Sequence, residues 1–290
     1  MSLTYEEVGD PIARIIDEES GSFKLVYIDE DCENKEGPKL SEIFMNEQLS
    51  GEEILHLGES LNQGMTIKQF LSSLDEECEE ENACRTIIKE RDELVVVIPR
   101  RKTERVLMCG AAGVGKSTLA ARYAMEWRLQ NPDGEIYLFC VFKKDPAYDG
   151  INLIEIKVES NITEVNIDIK ELTGSLVIFD DMDNLPKEEG KFMHNLINSL
   201  MATGRKEDIW VLYLSHVLLR GLETKVINNE TNKIFLFTGL GDKQNMDYLK
   251  VYAGMDTKQA RSIATMKSRW LCLNRQLPRY IVHEKGVMLL

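Results

Sequence analysis

The chain of 290 residues is 43% hydrophobic and 29% charged, with a formal net charge of −14. Those proportions supply a core for one large domain or two ordinary ones and exclude a wholly disordered chain. No uncharged apolar run approaches the roughly 18 residues of a membrane span, and the opening MSLTYEEVGDPIAR has neither the basic start nor the apolar stretch of a secretory signal.

The charge is unevenly placed. Residues 1–93 carry 25 acidic and 8 basic side chains, a net −17, whereas 94–290 carry 24 acidic and 27 basic ones, a net +3. The acidic third reads either as a solvated face or as an interaction arm. The six cysteines, Cys32, Cys78, Cys84, Cys109, Cys140 and Cys272, form no CxxC pair and no Cys/His cluster of zinc spacing. They are expected as reduced thiols of an intracellular protein, with Cys109 and Cys140 buried in strands.

In chain order, Phe23–Asp29 alternates as a strand. Ser50-Gly51-Glu52-Glu53 and Thr66-Ile67-Lys68-Gln69 have the spacing of capping boxes and predict two helices, the first stopping near Gly64. The tract Asp75–Asn82 then predicts an exposed linker. From Leu94 the pattern changes to short apolar runs: Leu94–Pro99, Val106–Cys109, Ile136–Phe142, Leu153–Val158, Ser175–Asp183, Ile209–His216 and Lys233–Gly239. Phe192–Gly204 has helical spacing, and two more helices are predicted, from Asp242 to near Gly254 and from the capping box Asp256-Thr257-Lys258-Gln259. Trp270–Leu273 and Arg279–Lys285 predict a closing hairpin. Nearly continuous apolar strands alternating with helices imply an α/β fold with a mostly parallel sheet and helices on both faces. The expected division is an acidic α+β segment at 1–93 and an α/β domain at 94–290.

The chemistry is concentrated in one motif. Gly110, Ala111, Ala112, Gly113, Val114, Gly115, Lys116, Ser117 and Thr118 fit GxxxxGK[ST] between an apolar strand and a helix, the context that a P-loop requires. Its glycines let successive N–H groups curl around phosphate oxygens, and the helix N-terminus adds a positive dipole end. Lys116 would reach the β- and γ-phosphates of ATP and Ser117 would hold Mg²⁺. The strand Leu176–Phe179 ends in Asp180, placed to hold the metal, and Asp181, placed to polarise the attacking water. Asp183 reads as a residue solvating the strand end. The following strand ends in Ser215-His216, either of which is placed to touch the γ-phosphate. No LSGGQ-like or guanine-reading NKxD segment is present.

With these residues in place, the region from about 104 to 290 resembles the FtsK–HerA superfamily, and more narrowly the genome-packaging ATPases of large poxvirus-like and giant viruses. The likeness is carried by Gly110–Thr118, Leu176–Asp183, Thr203–His216 and Ser268–Leu290. It implies a RecA-like P-loop ATPase with an added strand beside the P-loop strand, assembled as a homo-oligomeric ring that pulls double-stranded DNA. Arg205 matches the family's arginine finger, and His216 stands where the family usually has Gln. Lys143 and Lys144 read either as a solvated pair on a loop or as contacts to DNA phosphates in a central channel. The place of action implied is the host cytoplasm or the virion. Two other readings stand beside this one: a regulatory nucleotide switch whose acidic arm recruits a protein partner, and a nucleotide-binding structural protein with little turnover.

Overall fold

The computed structural model describes residues 1–5, 7–16, 23–29, 86–88, 93–96, 103–141, 143–165, 167–221, 224–237 and 242–290. The capping boxes at 50–53 and 66–69, the acidic tract 75–82 and Cys32, Cys78 and Cys84 lie outside them.

The N-terminal region forms a small antiparallel sheet. Its strands are β1 (Ser2–Thr4), β2 (Ala13–Ile16), β3 (Phe23–Asp29) and β5 (Glu93–Val96), in the order β1-β3-β2-β5. A short strand, β4 (Thr86–Ile88), precedes β5 in the chain but belongs to the second, larger sheet. The apolar run after Leu94 therefore starts in the small sheet: Leu94 pairs with Ile15 and Val96 with Ala13. Strands from the two sides of position 93 are thus exchanged between the sheets.

The larger sheet is built from β6 (Arg105–Cys109), β7 (Ile136–Cys140), β8 (Ile154–Lys157), β9 (Leu176–Asp180), β10 (Trp210–Ser215), β11 (Lys233–Phe237), β12 (Trp270–Asn274), β13 (Tyr280–His283) and β14 (Gly286–Leu289), together with β4. The spatial order is β4-β14-β13-β12-β11-β6-β10-β9-β7-β8. From β11 to β8 every pairing is parallel. From β11 to β4 every pairing is antiparallel. The predicted closing hairpin is therefore three strands long, because Val287–Leu289 continues past the turn after His283 and buries Val287.

Five helices are described: α1 (Lys116–Gln130), α2 (Lys187–Thr203), α3 (Lys225–Glu230), α4 (Asp242–Val251) and α5 (Thr257–Ala264). The capping box predicted at Asp256 is formed: its side chain accepts from the Gln259 N–H, and Gln259 Oε1 accepts from the Asp256 N–H. Among the described residues no helix is long and apolar enough to cross a membrane.

Successive residues of the central strands point to opposite faces, so each strand feeds two cores. Val106 and Met108 of β6 join one cluster with Tyr123, Ala124 and Trp127 of α1 and with Ile15 and Val26 of the small sheet. Leu107 and Cys109 join the other with Met193 and Ile197 of α2, Leu249 of α4 and Ile263 of α5. All five residues of β6, β9 and β11 and all six of β10 are buried. Burial on both faces is why these runs read as continuous rather than alternating. Cys109, Cys140 and Cys272 are buried free thiols, and burial pushes Cys109 up to about 12.

One pairing decides where the site lies. Strand β10 sits between β6 and β9, so the P-loop strand and the strand ending in Asp180 are separated by the strand ending in Ser215. All three end at the same edge, with Ser215 beside Cys109.

Candidate nucleotide site

The turn from β6 into α1 holds the P-loop. A Cβ on Gly110 would lie 2.7 Å from Phe237 Cβ on β11 and 2.9 Å from Val114 Cγ2, so only glycine lets the loop leave the sheet here. Gly113 and Gly115 take φ of +75° and +99°, a conformation that costs an L side chain strain. Helix α1 starts at Lys116 with no side-chain cap and no acid in its first turn. Its free N–H groups and dipole end therefore face the loop without an anion from its own first turn.

Lys116 folds back into the cradle and is 6% exposed. Its ammonium donates to the carbonyls of Gly110 and Ala111, both at 2.9 Å, and meets Nδ1 of His216 at 3.1 Å. Burial pulls its pKa below the ordinary lysine value, opposed by Asp181 and Asp180. An ammonium has three hydrogens and no lone pair, so these three acceptors satisfy it and Nδ1 of His216 must be unprotonated. The imidazole proton then sits on Nε2, which is 3.0 Å from Oδ1 of Asp181. One histidine thus bridges the P-loop lysine and the acid read as the water-polarising group.

Asp180 is buried at the end of β9 and receives the hydroxyls of Ser117 and Tyr148, the latter at 3.1 Å. Burial, then the charge of Asp181, raise its pKa above the ordinary carboxylate value, and the two hydroxyls pull it back. Asp181 follows with φ +61°, an uncommon conformation that aspartate tolerates. Its side chain is 43% exposed and so meets solvent.

The two sensor candidates separate. Ser215 is fully buried, donates to Asp183 at 3.0 Å and accepts from the Val217 N–H. His216 alone reaches Lys116 and Asp181. Arg205 lies apart: it is exposed, on a single helical turn at Gly204–Glu207 that precedes β10, at the edge of the sheet opposite to the cradle. The six residues of β10 span roughly 20 Å between them. Lys143 is exposed, whereas Lys144 pairs with Asp149 at 3.2 Å.

Two residues of the site carry no signal in the motif reading. Tyr148, in the Pro146–Tyr148 turn, is an isolated aromatic in sequence yet reaches Asp180. Asp183, read as solvating a strand end, accepts from Tyr213, Ser215 and the His216 N–H. A third acid so close to Asp180 and Asp181 is the one sequence feature that could have drawn attention to it.

The fold is that of a P-loop NTPase. No family model matches the chain. An uncharacterized protein of the Sputnik virophage is 28% identical over 187 residues, 63% of this chain and 76% of that protein. The genome packaging NTPase of Sulfolobus turreted icosahedral virus 2, in complex with ATPγS, superposes with a TM-score of 0.44 at 10% identity, over 64% of this chain and 98% of that one. The cytoplasmic domain of the type VII secretion ATPase EccC of Thermomonospora curvata gives 0.47 at 13% identity, over 71% of this chain and 29% of that one. These superpositions are loose, and the resemblance to FtsK–HerA packaging ATPases rests on the motif residues and the strand order.

Proposed function

We propose that the protein is a Mg²⁺-dependent ATPase that acts as a ring-forming motor on double-stranded DNA. The observation that carries the reading is the convergence of Lys116, His216 and Asp181 beside the Ser117–Asp180 pair at the edge of the parallel sheet. The P-loop N–H groups and Lys116 would bind the β- and γ-phosphates, since both present positive charge in a cradle that holds no acid of its own. Ser117 and Asp180 form a hard-oxygen pair, with Asp180 buried and beside the charge of Asp181; this pair fits Mg²⁺. When bound there, Mg²⁺ would offset charge developing on the phosphates. Asp181, half exposed and anchored by His216, would orient the water.

The proposed ring is supported by the place of Arg205. It is exposed and too far from its own cradle to serve it, so a finger role requires the neighbouring subunit. A channel role for the lysine pair falls on Lys143, because Lys144 is engaged by Asp149. The relative from a virophage agrees with a viral setting. The test is the rate of phosphate release with and without double-stranded DNA, alongside sizing of the protein in ATP. DNA stimulation and an ATP-dependent ring support the motor. Nucleotide binding without either supports the regulatory switch instead, with a protein partner for the acidic region.

A further inference from the structure

Asp183 lies three residues beyond Asp180, in the single turn Met182–Asn184, and its carboxylate is turned toward β10 rather than toward the cradle. Oδ1 accepts from the Tyr213 hydroxyl at 3.0 Å and from Ser215 Oγ at 3.1 Å. Oδ2 accepts from Ser215 Oγ at 3.0 Å and from the His216 backbone N–H at 2.6 Å. Those donors are three points on one strand end, two side chains and the main chain of the histidine itself. The bonds reach across about thirty residues of sequence, from the end of β9 to the end of β10.

The consequence follows from what His216 does. Its imidazole is only partly buried and is held by two contacts, Lys116 at Nδ1 and Asp181 at Nε2. The Lys116 contact is one that a bound phosphate is expected to claim. Nothing in those two bonds fixes the ring once a phosphate competes for Lys116. The backbone beneath it is fixed separately, by Asp183. A charge-assisted bond of 2.6 Å to a main-chain N–H is among the strong ones.

We infer that Asp183 is the positioning residue of the sensor: it clamps the end of β10 so that His216 bridges Lys116 and Asp181. This bridge engages the P-loop lysine and the water-orienting acid with each other. A γ-phosphate that draws Lys116 away breaks one side of the bridge and leaves His216 anchored beside Asp181. The clamp keeps the imidazole at the same place through that exchange. This inference rests on the ATPase reading above.

A double-mutant cycle separates positioning from general support of the fold. Asp183→Ala should lower kcat for ATP by roughly 10- to 100-fold, the scale of a slightly misplaced group, with a smaller change in KM. Made in a His216→Ala background, the same substitution should change kcat by no more than about twofold, the scatter of independent effects. An equal loss in both backgrounds, or no loss in either, overturns the inference. Asp183→Asn keeps an acceptor oxygen and the side-chain shape; it serves if the alanine variant does not fold, and its loss must likewise vanish without His216. A wild-type protein with no ATPase activity would count against the ATPase reading instead. The clamp is then still decided by imidazole ¹⁵N shifts in the nucleotide-free protein: the Nε2-protonated form of His216 in the wild type should give way to a mixture of tautomers in Asp183→Asn. Identical spectra overturn it.

Discussion

The hydroxyl of Tyr148 donates to Oδ2 of Asp180 over 3.1 Å, which ties the segment after β7 to the carboxylate at the end of β9. Tyr148 is fully buried, and its pKa is driven well above the ordinary value by burial and then by Asp180. The phenol therefore stays neutral and acts as a donor throughout the working pH range. The same stretch of chain carries Lys143 and the Lys144–Asp149 pair. A polyanion that moved this segment would act on Asp180 through Tyr148.

Tyr148→Phe tests that tie with the least disturbance, since only the hydroxyl is lost from a buried ring. Asp180 keeps the Ser117 bond but loses a group that lowers its pKa. The carboxylate should then protonate more readily. Half-maximal ATPase activity should need several-fold more Mg²⁺, with the defect greatest at the acidic end of the pH profile. Unfolding by heat should change little, by about 1 kcal/mol, the net worth of one hydrogen bond. An unchanged Mg²⁺ titration would remove Tyr148 from the site.

Asp180→Asn should stabilise the nucleotide-free fold while it removes a metal ligand. The folded-state pKa of Asp180 is raised above its ordinary value. Between the unfolded and folded pKa values the native chain binds more protons, so its stability falls as pH rises through the folded pKa. Where Asp180 is ionised, its charge is thus a net cost to the nucleotide-free protein. The asparagine variant should melt roughly 1–5 °C higher without nucleotide, the range of single stabilising changes in a chain of this size. It should also lose Mg²⁺-dependent nucleotide binding. A lower melting temperature by calorimetry would contradict the charge balance at this site.

Lys116→Ala removes a buried ammonium that packs against carbonyls and a histidine rather than against the core. The fold should persist, and ATP turnover should drop by at least about 10²-fold, the cost of one preorganised donor to a transition state. Circular dichroism and phosphate release read the two outcomes. A folded variant with near-normal hydrolysis would end the P-loop assignment.

Much of this arrangement is legible in the sequence alone. The strands of the parallel region are legible because burial on both faces leaves them uniformly apolar, as in Leu176–Phe179. The P-loop is legible because few residue types tolerate its backbone. Other features depend on partners distant in sequence. β14 is four residues long, and its pairing with Thr86–Ile88 joins segments about two hundred positions apart. The choice of His216 over Ser215 also needed the structure, because Ser215 ends β10 turned toward Asp183 while His216, just past the strand, reaches Lys116 and Asp181. Asp183 looked like a solvated strand-end acid because its three donors lie some thirty residues on, at Tyr213, Ser215 and the His216 N–H.

Arg205→Ala separates a ring from an isolated switch. Arg205 is exposed on the turn before β10, roughly 20 Å along the strand from His216. It therefore cannot act on the phosphate bound by its own Lys116. A guanidinium is always charged and offers a forked donor suited to phosphate, and an arginine finger is worth ~10³–10⁵ in rate. If a neighbour's cradle faces it, the variant should bind ATP normally and hydrolyse it far more slowly. Mixing it with Lys116→Ala should restore part of the turnover, because some interfaces then join an intact P-loop to an intact arginine. The competing account is that Arg205 is a surface cation near the C-terminus of α2, where positive charge is favoured in any case. On that account the variant keeps wild-type turnover and mixing changes nothing. Turnover measured across mixing ratios distinguishes the two, since only rescue through a shared interface peaks at an intermediate ratio.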